Sequence, residues 1–256
     1  MSAPTLRVER SGDVARLVLD RPPLNVLDLA LLEQAGAALT AIPPPPEVRF
    51  LVFRGAGPKG FSAGADVADH LPERVGAMLT AFHRVLRTLW ASDWVTVAAV
   101  HGFCLGGGME LASACDFLVA ERDAKFGQPE IKLACFPPVA AVLLPAKIGL
   151  PRALDLILSG RTVSAEELRA MGLVTSLCEP GRLDAAVEEL RAALATHSAA
   201  ALPIARRAVL RGSGFDLDAA LRVAEALYLD RLLATRDCVE GVKAFLEKRP
   251  PAYVGR

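Results

Sequence analysis

The sequence carries no excess of either charge. Lysine plus arginine and aspartate plus glutamate each number 29, so the formal net charge is zero. A nucleic-acid footprint needs a basic face, and attraction to an anionic membrane surface needs the same, so both partners are disfavoured. The opening residues, MSAPTLRVERSGD, lack the apolar stretch of a secretory signal. No uninterrupted apolar run reaches membrane-spanning length, and LACFPPVAAVLLPA is cut by three prolines. The five cysteines, Cys104, Cys115, Cys135, Cys178 and Cys238, form no CxxC pair and are odd in number. They read as reduced thiols of a cytoplasmic protein. His101 and Cys104 have a spacing compatible with a metal, but no second pair accompanies them, so no metal is expected. There is no repeat and no low-complexity linker. No GK[ST] or GxGxxG follows a glycine loop, which excludes the P-loop and the dinucleotide fingerprint. Ser62 lacks a G-x-S-x-G context and is rejected as a hydrolase nucleophile.

What is present centres on residues 96–138. An apolar β-branched run at 95–100 reads as a buried strand. Gly106, Gly107 and Gly108 follow, then MELASA, which has helical composition, and a second strand at 117–120. Strand, glycine loop and helix together bring backbone close to a ligand, because the first N–H groups of a helix lack intrahelical partners. Those N–H groups suit a bound anion or an oxygen that becomes negative during reaction. Glu110 lies in the first helical turn, where an acid alone would simply favour the helix dipole by ~0.3–1 kcal/mol. Glu130 follows Pro129 in a loop, where a solvated carboxylate would be ordinary. Two carboxylates beside an N–H donor site are a different matter: they can position a water, take its proton and deliver one elsewhere.

The segments GGGMELASACD and AKFGQPEIKL resemble the crotonase (enoyl-CoA hydratase/isomerase) superfamily, and both glutamates of its hydratases match, Glu110 and Glu130. FSAGAD at 61–66 resembles the family's other signature. The resemblance implies that the N–H groups of Ala65 and Gly107 hold the thioester oxygen, and that Ala63, Asp66 and Val67 help bind the acyl-CoA. It also implies that Phe245 and Lys248 contact coenzyme A, often across a subunit boundary. Taken alone, these two would be a core residue and a solvated charge. No cofactor is implied, since coenzyme A arrives as part of the substrate. A homotrimer or dimer of trimers is the implied assembly.

The elements in order are a strand at 16–20, a helix from Asp28 to about 41 ended by prolines 43–46, a strand at 49–54 and a helix at 72–90. His83 in that helix reads as structural. This alternation argues for a layered α/β core. The resemblance adds a ββα spiral, with residues 1–195 as the core bearing the site and 196–256 as a C-terminal helical trimerisation region. A helix is expected at 151–158, closed by Gly160, and a capping box of Ser164 and Glu167 stands ahead of a turn ending at Gly172. More helices follow at 182–196, 203–210, 216–233 and 238–248.

One stretch departs from the generic family. Where many hydratases run PGAGGTQRL after the second glutamate, this chain has CFPPVAAVLLP, giving a stiffer and more apolar wall beside Glu130, with Phe136, Pro137 and Val139 facing the acyl group. AKFGQPEIKLACFPP, the HLP at 70–72 and EALYLDRLLATRDCVEGVKAFLEKR are most similar to a subgroup, the cyclohexa-1,5-diene-1-carbonyl-CoA hydratases. Hydration of a linear 2-enoyl-CoA, isomerisation, or a non-catalytic interaction role on the same fold are the alternatives.

Overall fold

The computed structural model describes residues 5–255. Strand β1 (Leu6–Ser11) exposes every residue but its first, while β2 (Val14–Leu19) is buried almost throughout. They pair antiparallel, with β1 as the solvated edge. Helix α1 (Leu29–Ala41) starts where the Asp28 carboxylate accepts the Leu31 N–H at 2.8 Å, and it stops before the proline run.

From there the chain repeats one unit. Strand β3 (Phe50–Gly55) is followed by β4 (Gly60–Ser62) and helix α2 (Val75–Ala91). Next come β5 (Val95–Val100), β6 (Phe103–Leu105) and α3 (Gly107–Ala114), and then β7 (Phe117–Glu121), β8 (Lys125–Gly127) and α4 (Pro138–Ile148). After α5 (Leu150–Ser159), β9 (Thr162–Ser164), α6 (Ala165–Met171) and β10 (Ser176–Cys178), the rest is helical. It comprises α7 (Leu183–Ala195), α8 (Ala201–Gly212), α9 (Leu217–Ala226), a π-helical turn (Leu227–Leu232) and α10 (Arg236–Leu246). Each turn of the spiral lays one strand in each of two sheets. The large sheet has the order β1-β2-β3-β5-β7-β10 and is parallel from β2 onward; the small one runs β4-β6-β8-β9.

The central strands are apolar at nearly every position because both faces of the sheet are covered. Leu51, Phe53, Ala98 and Leu118 point to the main core with Leu31, Phe82 and Leu86 of α1 and α2. Their sequence neighbours Val52, Val97 and Val119 point the other way, under Leu183 and Val187 of α7. His83 is fully buried in α2, with its Nδ1 bonded to Glu225 of α9 and Arg87 beside the pair, a structural tie as expected.

Several details differ from the sequence expectations. The strands of the small sheet have three residues each, too short for any periodicity to register. The capping box is half made: Ser164 accepts the Glu167 N–H at 3.1 Å, but the Glu167 carboxylate turns to Arg161 at 2.6 Å. The segment 216–233 is not one α-helix, since its last part winds as the π turn. Among the described residues, no helix is long and apolar enough to cross a membrane.

Candidate active site

Two short 3₁₀ turns and the start of α3 frame a cavity of about 380 Å³. The first turn, Val67–His70, follows the FSAGAD segment and is capped by Asp66, whose carboxylate accepts the Ala68 N–H at 3.0 Å. Residues 63–66 lie alongside 24–27: Leu27 N–H donates to the Gly64 carbonyl at 2.9 Å, and Asp66 N–H donates to the Leu27 carbonyl at 3.1 Å. In such a parallel bridge the intervening residue, Ala65, turns its own N–H to the opposite side. That side is the start of α3. A methyl group built on Gly107 would stand 3.2 Å from Ala65 N, and one built on Gly64 would stand 3.3 Å from Gly107 N. Two N–H donors, one a helix-terminal orphan, are thus neighbours on the cavity wall.

Glu110 sits one turn into α3 and is 4% exposed. Its Oε1 accepts the Ala140 N–H at 2.8 Å, with the Val139 N–H also acting on it, so the first turn of α4 holds this carboxylate. Burial outweighs those donors and pushes its pKa up to about 7. Glu130 was expected in a loop; it stands instead in the second 3₁₀ turn, Pro129–Leu133. Its carboxylate lies against Gly106, where a Cβ would meet Oε1 at 2.6 Å. Gly106 has φ 51° and ψ −129°, a conformation open in practice only to glycine. The Glu130 Oε2 is enclosed and has no hydrogen-bond partner among the described residues. Desolvation first, and the Glu110 charge second, raise the Glu130 pKa well above the ordinary carboxyl value. Both carboxyls therefore hold their protons more tightly than free ones do, and the two titrate as a coupled pair.

The inner end of the cavity is closed by Phe136, Pro137, Pro138 and Tyr228, with Met78, Leu79 and Phe82 of α2 on one side. Val139 does not reach it: its side chain is fully buried behind the prolines and only its backbone serves Glu110, so the wall is shorter than the sequence suggested. Ala63, Ala65 and Val67 line the cavity. Phe245, 55% exposed, stands at its open end with Lys132 and Arg249. Two further sequence candidates are absent from the lining. Asp66 is engaged in capping and in a 3.4 Å ion pair with Arg21, and Lys248 lies past the end of α10 in a left-handed conformation. Helix α10 packs against both 3₁₀ turns, and at Gly241 any Cβ would stand 2.2 Å from the Leu133 carbonyl oxygen.

Tyr228 and His70 were not singled out as site residues from sequence. His70 stood only within a quoted motif, and a tyrosine inside ALYLDRLL was the available signal for the other.

Such an arrangement suits a reaction that builds negative charge on a carbonyl oxygen while one carboxyl group removes a proton and another supplies one. Together with the two-sheet spiral, it is the hallmark of the crotonase-fold hydro-lyases. The family model described as enoyl-CoA hydratase/isomerase matches residues 9–256, and the chain belongs to that family. A cyclohexa-1,5-dienecarbonyl-CoA hydratase of Thauera aromatica is 40% identical over 249 residues, covering 97% of this chain and 96% of that protein. A crotonyl-CoA hydratase of Syntrophomonas wolfei is 33% identical over 261 residues, covering 100% of both. Among solved structures, an enoyl-CoA hydratase from Mycobacterium avium subsp. paratuberculosis superimposes with a TM-score of 0.87 at 29% identity, covering 98% of each chain.

Proposed function

We propose that the chain adds water to cyclohexa-1,5-diene-1-carbonyl-CoA, giving 6-hydroxycyclohex-1-ene-1-carbonyl-CoA. The observation that carries this reading is the rigid inner wall, Phe136, Pro137 and Pro138 backed by Tyr228, next to the Glu130 turn. A flat, stiff ring loses little conformational entropy in a preshaped apolar slot, whereas a linear chain gains less from it. The name of the Thauera relative supports the same acyl group.

In this mechanism the Ala65 and Gly107 N–H groups hold the thioester oxygen. Glu110 takes a proton from water, and the water oxygen bonds to the ring β-carbon. The electron pair displaced from the double bond spreads into a dienolate, with charge on the thioester oxygen. Glu130 then returns a proton to the γ-carbon, and the product retains one ring double bond. A helix-terminal N–H pair of this kind stabilises the enolate by ~3–4 kcal/mol per donor when it behaves as other oxyanion sites do. Assembly as a trimer or dimer of trimers, in the cytoplasm, belongs to the same reading. Exposed Leu227 and Leu229 on the π turn give it an apolar surface to use.

A substrate panel tests the acyl group. The cyclic diene is expected to exceed crotonyl-CoA in kcat/KM by more than the ~1–3 kcal/mol that one methylene in an apolar pocket supplies. In deuterated water the new deuterium should sit on the ring γ-carbon. Crotonyl-CoA matching or beating the diene would make the chain a hydratase of linear enoyl-CoA esters, the reading that the Syntrophomonas relative supports.

A further inference from the structure

Among the described residues, two cavity-lining side chains carry an enclosed polar atom with no hydrogen-bond partner: Glu130 at Oε2 and Tyr228 at its hydroxyl. The first is accounted for by acid chemistry. The second is not, and a phenol left bare in an apolar enclosure loses the hydrogen bonds it had in water. Tyr228 is 1% exposed and reaches the cavity from the π-helical turn, whose wide winding shows in the Leu233 N–H donating to the Tyr228 carbonyl at 3.0 Å. Turns of this kind insert one extra residue and re-aim the side chains around them, often at functional sites. Its ring packs on Phe136 at 5.2 Å between centroids, so the ring is braced by the wall that sets the shape of the acyl slot. Its nearest polar neighbour is the Cys135 thiol, with Cys238 and Glu130 farther down in their effect on the phenol. A thiol is a weak acceptor and does not answer a phenol's need. Burial pushes the phenol's pKa up, so it stays protonated and is a standing donor.

Hydration brings two oxygens into this cavity: the thioester oxygen, which the Ala65 and Gly107 N–H groups take, and the oxygen that comes from water. We propose that Tyr228 is a specificity-determining residue whose hydroxyl donates a hydrogen bond to the oxygen the acyl group gains from water. The residue touches product and stabilises it; it transfers no proton. The inference rests on the hydration reading but not on the identity of the acyl group.

The test is a binding comparison with turnover blocked by Glu110→Gln. Affinities are measured for two pairs of CoA esters that differ by one hydroxyl: 6-hydroxycyclohex-1-ene-1-carbonyl-CoA against cyclohex-1-ene-1-carbonyl-CoA, and 3-hydroxybutyryl-CoA against butyryl-CoA. Tyr228→Phe keeps the ring against Phe136 and removes only the donor. For the pair that matches the acyl group turned over, it should cut the preference for the hydroxylated ester about tenfold, the scale of one hydrogen bond. Affinity for the deoxy ester should hold. Cys135→Ala should leave the ratio unchanged. The proposal is overturned if Tyr228→Phe leaves the ratio intact, if it weakens both esters equally, or if Cys135→Ala reproduces its effect. A ratio that collapses for the linear pair alone, with no hydration of the cyclic diene by the unmodified enzyme, would remove the acyl assignment and leave Tyr228 in its role.

Discussion

Asp116 and Glu130 are both carboxylates taken largely out of water, and the protein treats them in opposite ways. Asp116 Oδ2 accepts from the Thr96 N–H at 2.8 Å, the Thr96 hydroxyl at 2.9 Å and the Arg206 guanidinium at 2.7 Å. That guanidinium is itself fixed on the Ser92 and Leu89 carbonyls at 2.7 and 3.1 Å. Glu130 offers an enclosed oxygen to which no group among the described residues donates. One acid is saturated with donors and joins strand β5, the start of β7 and helix α8. The other is starved of them, and desolvation raises its pKa well above the ordinary carboxyl value. Burial alone therefore does not distinguish structure from chemistry here; the donor supply does.

The comparison breaks most visibly by removing the satisfied acid. Asp116→Ala leaves Arg206 buried without its counter-charge and should cost ~3–5 kcal/mol of stability. Thermal unfolding should show a Tm lower by several degrees, with the activity of the remaining folded enzyme near normal. An unchanged Tm would mean that the cluster contributes nothing. The starved acid should behave in reverse. Glu110→Gln and Glu130→Gln are each expected to lower kcat by ~10²-fold or more while the fold persists. Both carboxyls bind protons more tightly folded than unfolded. Their contribution to stability is therefore intact below the ordinary carboxyl value of about 4.5, and is lost as pH rises through the folded values. Glutamine mimics the protonated form, so Glu130→Gln should melt at or above the unmodified protein at pH 8. A lower Tm there would contradict the assignment. The smallest effect sharpens the contrast within the pair. With burial holding Glu110 near 7, kcat/KM should rise with pH through about 7 as the base loses its proton. The residual rate of Glu110→Gln should lack that limb. A rate flat from pH 5 to 8 in the unmodified enzyme would remove Glu110 as the base.

Much of this site was legible in the chain because its chemistry is local. Glycine loops, Glu110 two residues past Gly108, and Glu130 after a proline are short-range features, and the family resemblance assigned them roles. Helix ends were legible for the same reason: Asp28 and Ser164 cap where they were expected. The small sheet escaped notice because a three-residue strand has no period to detect. Val139 was misplaced because the wall turns into α4 at Pro138, and the helix carries the next side chain into the core. Tyr228 stayed hidden for a subtler reason. A 3.6-residue reading of 216–233 assigns side chains to faces by α-helical spacing, and the π turn breaks that spacing just where the residue lies.

The spiral draws its donors and carboxylates from successive windings: Ala65 after β4, Gly107 and Glu110 after β6, Glu130 after β8, and the closing pieces from α10 and the turn before it. No contiguous fragment much shorter than 63–245 contains them all. The activity is consequently indivisible in inheritance and in engineering. It cannot be lifted out as a loop and grafted elsewhere, and a recombination point inside that span must keep every winding in step or lose the site altogether.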